Sequence, residues 1–295
     1  MATLYASDLD GTLLRSDERT SDFTNRTVNE LAEGGMLFTY ATARSYITAR
    51  KVTRGLDARI PLIVYNGAFI MDNVSGEIIM SNYFGEDVRE VLDSIIARGV
   101  YPIVYSFIPE DSGDKIFCPA ESPGGRAEKF SFVRDRLSRG TKVFVDSRKG
   151  DRRTNPVDSA DELYRGDIFY ITCIDDKEKL EPLYELYQER YHCVFQRDIY
   201  SGEQWLEIMP QAASKANAVL RLKERLGCGR VVAFGDALND IDMFEIADEA
   251  YAVENAAEEL KAAADGVIGS NDSDGVAHFL RERFSADLAD RGIIL

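Results

Sequence analysis

Short apolar segments of strand length alternate with helical segments in both terminal parts of this 295-residue chain. A strand followed by a helix and another strand is typical of a parallel sheet covered by helices on both faces. The fold class predicted is therefore α/β, with a Rossmann-like parallel sheet as its core. The predicted strands of this core lie at 3–7, 36–41, 62–65, 230–235, 250–253 and 266–268.

Local signals set the limits of the helices in the same two parts. The first helix, at 22–33, has Thr20 or Ser21 as its N-cap and ends at the pair Gly34-Gly35. A helix at 214–226 places Val219, Leu222 and Leu226 on one face and stops at glycine 227. Shorter helices are predicted at 241–247 and 257–264.

The middle of the chain, at 83–205, is aromatic-rich and irregular. Because the flanking parts look like two halves of one sheet, we interpret it as an inserted α/β cap domain, with the core at 1–82 and 206–295. Turn-rich stretches lie at 109–114 and 123–125. The helices predicted in the cap are 86–98, 127–137 and 176–190, and the strands are 103–106, 168–174, 193–196 and 205–208.

The charge balance and the cysteines exclude several functions. Lys and Arg number 35 against 51 Asp and Glu, a net charge of −16, which argues against nucleic acid because phosphate backbones are bound by clustered basic residues. The basic stretch 148–153 is interpreted as a solvated loop. No apolar run is long enough for a membrane span, and no leader pattern precedes the first strand. Widely spaced cysteines predict reduced thiols in a cytoplasmic protein: Cys118, Cys173, Cys193 and Cys228.

Polar residues follow the predicted core strands where each strand ends. Asp8, Thr42, Asn66 and Asp236 each occupy such a position. In an open parallel sheet, ligands bind beyond the carboxyl ends of the strands. Polar groups delivered to one edge by separate strands predict a functional site there.

The first strand runs directly into two carboxylates, Asp8 and Asp10, which an extended segment points to the same side. Like charges this close repel unless a cation or a proton joins them. The pair suits metal-assisted chemistry in which one carboxylate is the nucleophile and its neighbour is the acid/base. The alternative interpretation is an ordinary strand-to-helix turn, with Asp10-Gly11 as its turn residues.

Further motifs stand at fixed places along the chain: Asp-Leu-Asp-Gly-Thr at 8–12, Ala-Thr-Ala-Arg at 41–44, Ser-Lys at 214–215 and Phe-Gly-Asp-Ala-Leu-Asn-Asp at 234–240. In this order the set resembles the haloacid dehalogenase superfamily, and the chain resembles its Cof-type phosphatases, whose large α/β cap is inserted after the third strand. The stretches 66–68, 205–208 and 271–276 are also typical of that branch. Two positions depart from it, since Ala43 and Ala216 stand where glycine is usual.

The resemblance implies roles for the acidic residues and the lysine. Asp8 attacks phosphorus and forms an aspartyl-phosphate, whereas Asp10 protonates the leaving oxygen and binds the metal through its backbone carbonyl. Lys215 has an argument of its own, because a cation at a helix N-terminus opposes the helix dipole unless an anion lies nearby. The predicted metal ligands are Asp8, Asp10, Asp236 and Asp240.

An oxygen-only ligand set beside a phosphate ester favours Mg²⁺. Asp240 has two open interpretations, holding Lys215 or a metal-bound water, and a helix N-cap is the structural alternative for Asn239 or Asp240. The predicted substrate-binding residues are Leu9, Thr42, Ala43, Arg44, Asn66, Lys215 and Asn239. The cap is expected to select the substrate through an aromatic wall of Tyr101, Tyr105, Phe107, Phe117, Tyr170 and Trp205, more of which are expected to be core than pocket.

These inferences predict a Mg²⁺-dependent phosphatase that hydrolyses small phosphorylated metabolites. A phosphomutase acting on sugar phosphates and a non-catalytic sensor of a phosphorylated ligand are the alternatives. The expected partner is a small-molecule phosphate ester, without nucleic acid or membrane. The expected assembly is a monomer or a weak homo-oligomer.

Overall fold

The computed structural model describes residues 2–109, 126–198 and 201–290, with the backbone alone given for 285–290. The chain divides into a core unit, Met1–Met80 with Ser214–Leu295, and an inserted unit, Ser81–Ala213. The predicted turn at 123–125, most of that at 109–114, and the residues Phe117 and Cys118 lie outside the described residues. Within the described part, no helix combines the length and apolar composition needed to cross a membrane.

The amino-terminal part of the chain supplies two strands of the main sheet and a small separate sheet. Its helices begin at hydroxyl caps, since Ser21 Oγ accepts a hydrogen bond from Thr24 N at 2.9 Å and Ser45 Oγ accepts one from Thr48 N at 3.2 Å. A bridge from Ala41 to Ile63 links the end of the main sheet to the small one. The elements are β1 (Thr3–Ser7), α1 (Asp22–Glu33), β2 (Leu37–Tyr40), α2 (Tyr46–Val52), β3 (Leu62–Val64), β4 (Phe69–Met71) and β5 (Ile78–Ser81).

The inserted unit is built on a six-stranded sheet with the strand order β10-β11-β9-β6-β7-β8. Apolar side chains of α3 and α5 bury one face of this sheet. Its elements are α3 (Val88–Ala97), β6 (Ile103–Pro109), β7 (Arg126–Val133), α4 (Arg139–Ser147), β8 (Thr154–Val157), β9 (Asp167–Ile174), α5 (Lys177–Tyr187), β10 (His192–Arg197) and β11 (Gln204–Met209).

The carboxyl-terminal part completes the main sheet, whose strand order is β14-β13-β12-β1-β2 and whose neighbouring strands are all parallel. The predicted α/β class is therefore confirmed. The strand β1 is central, with Ala6 opposite Ala233 on one side and Thr39 on the other. The elements are α6 (Lys215–Leu226), β12 (Arg230–Gly235), α7 (Ile241–Glu245), β13 (Glu249–Val253), α8 (Glu258–Ala263), β14 (Gly266–Ile268) and α9 (Gly275–Asp290).

The helix predicted at 127–137 is wrong, because β7 occupies most of that segment. Phe130 lies opposite Tyr105 of β6, and on its other side β7 pairs with β8. The Ala-Glu-Lys start favours a helix locally, but burial between two strands outweighs this preference.

The pairing of β11 with its neighbouring strands also explains where the inserted unit ends. The predicted boundary at 205/206 would cut β11, whereas the division after Ala213 leaves that strand whole.

One further expectation for the inserted unit changes in the structure, and another is consistent with it. The stretch 148–153 is not wholly solvated, because Arg153 is only 5% exposed and pairs with Glu128 at 2.8 Å and Asp151 at 2.7 Å. A buried guanidinium needs such partners to offset its lost hydration. Tyr105 and Tyr170 are buried, with ring centroids 5.5 Å apart, and so belong to the packed interior of the unit.

Candidate active site

The loop after β1 brings the amino-terminal carboxylates beside the loop after β12. Asp8 N donates a hydrogen bond to Phe234 O at 2.9 Å, which ties the ends of the two strands together. Carboxylate oxygens of Asp8, Asp236 and Asp240 consequently lie within 4.8 Å of one another. Parallel pairing of β1 with β12 thus produces the convergence that the strand-end positions predict.

Gly11 allows this loop to approach Asp236 closely. Its φ is +76°, and a Cβ at this position would lie 2.3 Å from Asp236 Oδ2. Thr12 Oγ1 donates to Asp236 Oδ1 at 2.9 Å, and Asn255 Nδ2 donates to Gly11 O at 2.7 Å. Sequence reasoning missed both supporting residues. Thr12 stands within the first motif, whereas nothing local marks Asn255.

We expect Gly11→Ala to destabilise the protein by more than the cost of a left-handed alanine, because the methyl group would displace Asp236. Gly35→Ala is the matched control, since its φ is +93° and its Cβ would meet nothing within 4 Å. Urea unfolding should show that the free energy of unfolding falls by about 1 kcal/mol for the control and by clearly more for Gly11→Ala. Equal losses would contradict the contact between Gly11 and Asp236.

Lys215 joins the carboxylates through its ammonium group. Its Nζ lies 2.7 Å from Asp8 Oδ1 and 2.7 Å from Asp240 Oδ1, and the side chain is 2% exposed. Ser214 caps α6 by accepting a hydrogen bond from Asn217 N at 3.1 Å. Gly67 fits against this helix start, since a Cβ there would lie 2.1 Å from Ser214 O. Lys215 is therefore fixed at the helix N-terminus by buried negative charge, as the dipole argument predicts.

Asp240 is fully buried, and both of its carboxylate oxygens are engaged. Oδ1 accepts from Lys215, whereas Oδ2 accepts from Asp236 N at 3.1 Å and Ala237 N at 3.2 Å. Of the two interpretations left open for this residue, the structure contains the contact with Lys215. Asp8 Oδ2 and Asp236 Oδ2 have no hydrogen-bond partner within the described ranges, so these two oxygens are available to a cation.

The Asp10 side chain does not join this group of carboxylates. It faces Arg44, whose Nε donates to Asp10 Oδ2 at 2.8 Å and whose Nη2 donates to Oδ1 at 2.6 Å. Thr42 is buried beside them, and its Oγ1 accepts from Arg44 N at 3.1 Å. Asn66 N in turn donates to Thr42 O at 2.8 Å. The second motif thus contacts the first through the Arg44 side chain.

A family model of haloacid dehalogenase-like hydrolases matches residues 5–280. The chain belongs to this family. The 5-amino-6-(5-phospho-D-ribitylamino)uracil phosphatase YwtE of Bacillus subtilis is 28% identical, over 96% of this chain and 99% of its own. Phosphatase YwpJ of the same organism is 27% identical, over 94% and 98%. With such relatives, this haloacid dehalogenase-like hydrolase is a phosphatase.

Solved structures that are similar to this chain have the same fold. The crystal structure of TM0651 from Thermotoga maritima has a TM-score of 0.70 at 25% identity, covering 96% of this chain and 97% of that one. A haloacid dehalogenase-like hydrolase from Bacteroides thetaiotaomicron has a TM-score of 0.73 at 23% identity, covering 96% and 100%. Both likenesses extend across the core unit and the inserted unit alike.

The other predicted substrate-binding residues of this hydrolase differ in what they expose. The Leu9 side chain is fully buried, so only its backbone can face a substrate. Ala43 and Asn239 are partly exposed, and Asn239 Oδ1 is buried without a hydrogen-bond partner among the described residues. The motif at 271–276 supports the site indirectly, because Asn271 Nδ2 donates to Leu14 O at 2.9 Å.

Burial and mutual repulsion raise the pKa values of Asp8 and Asp236. Burial, followed by the charges of Asp240 and Asp236, raises the pKa of Asp8 well above its usual range although Lys215 opposes the shift. Burial and Asp240 likewise raise the pKa of Asp236 to about 7. Burial alone would lower the pKa of Lys215, but Asp240 and Asp8 outweigh it and raise that pKa. A divalent cation at these carboxylates would lower their pKa values by stabilising the charged form.

Proposed function

We propose that this hydrolase is a Mg²⁺-dependent phosphomonoesterase that acts on small phosphorylated metabolites through an aspartyl-phosphate at Asp8. The observation that carries the proposal is the placement of Asp8 against a buried ammonium group, 2.7 Å from Lys215 Nζ, with Asp236 beside it. Buried carboxylates gathered around one lysine favour an added cation and a phosphate ester over a purely structural role.

In the first step an oxygen of Asp8 attacks phosphorus, and the bond from phosphorus to the ester oxygen breaks. Asp10 donates its proton to that leaving oxygen, so the alcohol departs neutral. The Lys215 ammonium group offsets the negative charge of the transferring phosphoryl group. In the second step Asp10 takes a proton from the attacking water, the bond between phosphorus and Asp8 breaks, and inorganic phosphate leaves.

The donor set suits magnesium. Asp8 Oδ2 and Asp236 Oδ2 would hold the ion together with the backbone oxygen of Asp10, while Asp240 holds Lys215. Carboxylate and carbonyl oxygens are the ligands that Mg²⁺ prefers. When bound, the ion supplies positive charge and orients a phosphoryl oxygen.

Hydrogen-bond donors for the phosphate are proposed on the neighbouring loops. Thr42 Oγ1 accepts from Arg44 N, which leaves its own hydroxyl hydrogen for a phosphate oxygen. The backbone N–H of Leu9 and the side-chain amide of Asn239 are further donors. Ala43 and Arg44, both partly exposed, are proposed to shape the rim of the site, whereas the buried Asn66 is proposed to support Thr42 through the hydrogen bond from Asn66 N to Thr42 O.

Magnesium dependence is the central test of this proposal. Purified protein should hydrolyse p-nitrophenyl phosphate, lose that activity in EDTA and regain it with Mg²⁺. Mg²⁺ should also raise the Tm in the absence of substrate, because it binds only the folded state. Asp236→Asn should lose both effects, whereas Asp135→Asn, at an exposed position of the inserted unit, should retain them. Full activity in EDTA, or an Mg²⁺ response retained in Asp236→Asn, would contradict the proposal.

The substrate class is small phosphorylated metabolites, and comparing kcat/KM values across a panel would identify the preferred member. The panel should contain sugar phosphates, pyridoxal phosphate, flavin mononucleotide and phosphoglycolate. It should also contain 5-amino-6-(5-phospho-D-ribitylamino)uracil, which the name of one relative specifies. Isomerisation of a sugar phosphate without release of phosphate would instead indicate a mutase.

A further inference from the structure

Glu18 holds a strained backbone conformation in the turn that follows the first motif. Glu18 N donates to Arg15 O at 2.9 Å, and Arg15 N donates to Arg19 O at 3.0 Å, which closes a tight loop. The φ of Glu18 is +58°, in the left-handed region. Such a turn position favours glycine or asparagine, because a longer L side chain is strained there. The contacts of the Glu18 side chain decide whether this strained conformation serves a function.

The Glu18 carboxylate contacts the arginine that holds Asp10. Its Oε2 accepts a hydrogen bond from Arg44 Nη2 at 3.1 Å, while the same nitrogen donates to Asp10 Oδ1 at 2.6 Å. An arginine Nη2 carries two hydrogens, so each carboxylate takes one of them. Glu18 and Asp10 thus fix the planar guanidinium group from two directions.

The rest of Arg44 is already held in place. Its backbone N donates to Thr42 Oγ1, and its backbone O accepts from Tyr65 N at 3.0 Å. Glu18 adds a contact on the side chain itself, which restricts the orientation of the guanidinium group. Because Arg44 contacts both oxygens of Asp10, the direction of the guanidinium group sets the direction of that carboxylate.

The turn that carries Glu18 is anchored from its other side. Ser16 donates to Asp272 through its backbone N at 2.8 Å and through Oγ at 2.7 Å. Asp272 belongs to the motif at 271–276, so part of that motif holds this turn. An exposed ion pair on a free loop contributes little to stability, but one between anchored partners can fix a geometry.

We propose that Glu18 is a positioning residue, which holds Arg44 so that Asp10 is correctly directed for proton transfer. This inference rests on the proposed function, in which Asp10 is the acid/base. Proton transfer depends steeply on the placement of the transferring group. Glu18 is 49% exposed, and its contribution is therefore to the rate rather than to the stability of the fold.

Replacing the strained glutamate by glycine separates these two effects. Glu18→Gly should lower kcat about tenfold with KM changed less than about twofold, since only the proton-transfer step is affected. The same change should raise the Tm by about 2 °C, because glycine relieves the left-handed strain. Glu18→Gln keeps a hydrogen-bond acceptor for Arg44 and should recover most of kcat. A merely structural glutamate would give neither the opposite signs nor the rescue.

Two controls make the test decisive. Arg59→Gly also relieves an exposed left-handed residue, with φ at +59°, and should leave kcat unchanged. In an Arg44→Ala background, Glu18→Gly should have no further effect on kcat, because Glu18 acts through Arg44. Unchanged kcat in Glu18→Gly, or an undiminished loss in the Arg44→Ala background, would overturn the inference.

A crystal structure of Glu18→Gly supplies a readout independent of turnover. The Arg44 guanidinium group should leave its two-point contact with Asp10 or adopt more than one conformer. An unchanged contact between these side chains would overturn the inference. Hydrolysis by the unaltered enzyme tests the proposed function, whereas the ratio of variant to unaltered kcat tests Glu18, so the two failures are distinguishable.

Discussion

Asp8→Asn should abolish turnover while the protein remains folded. An amide oxygen is a far weaker nucleophile than a carboxylate, so no phosphoryl group is transferred to the side chain. Removing a nucleophile of this kind costs on the order of 10⁴-fold or more in kcat. Asparagine has the shape of aspartate and retains an acceptor for Lys215 Nζ, which lies 2.7 Å from Asp8 Oδ1.

Stability should respond to Asp8→Asn in the opposite sense to activity. Burial and neighbouring carboxylates raise the pKa of Asp8, which means that its charged form is disfavoured in the folded protein. A neutral amide avoids that cost, so the metal-free variant should unfold at an equal or higher urea concentration than the unaltered protein. Steady-state kinetics measures the loss of turnover, and urea unfolding measures the change in stability. Turnover within about a hundredfold of the unaltered enzyme would exclude Asp8 as the nucleophile.

Among the substitutions considered, Lys215→Met should produce the largest loss in the free energy of unfolding. The side chains of Asp8 and Asp240 are 7% and 0% exposed, and the substitution removes the ammonium group that both contact. Removing one member of a buried ion pair costs about 3–5 kcal/mol, because the remaining charge has neither water nor a partner. The variant should also lose hydrolysis, since no ammonium group offsets the charge on the transferring phosphoryl group.

A double variant distinguishes loss of charge balance from loss of packing. Lys215→Met with Asp240→Asn removes one buried charge of each sign, and the asparagine oxygen still accepts from Asp236 N and Ala237 N. Urea unfolding should therefore show a partial recovery of stability relative to Lys215→Met alone, without recovery of hydrolysis. No recovery would indicate that methionine fails to pack at this position. Asp240→Asn alone should fall between the double variant and the unaltered protein in hydrolysis.

Local patterns were sufficient for several elements of the core, although α2, β4, β5 and α9 were not predicted. The predicted limits of β1, β12, β14 and α1 match those of the structure. Each of these elements is an apolar run or an amphipathic segment bounded by residues that cap or stop it, such as Ser21 before α1 and Gly34 after it. These signals act over a few residues, so they can be read without knowledge of the fold.

Contacts between distant segments were beyond such patterns. The strand β7 reads as a helix until β6 and β8 flank it, because sheet pairing depends on residues far along the chain. The commitment of Asp240 to Lys215 and of Arg44 to Asp10 likewise follows from the parallel order of the strands, which brings separate loops to one edge. The sequence thus predicted which polar side chains gather at one edge of the sheet. Their partners depend on the pairing of distant strands, since hydrogen bonds form only between groups that the completed fold brings together.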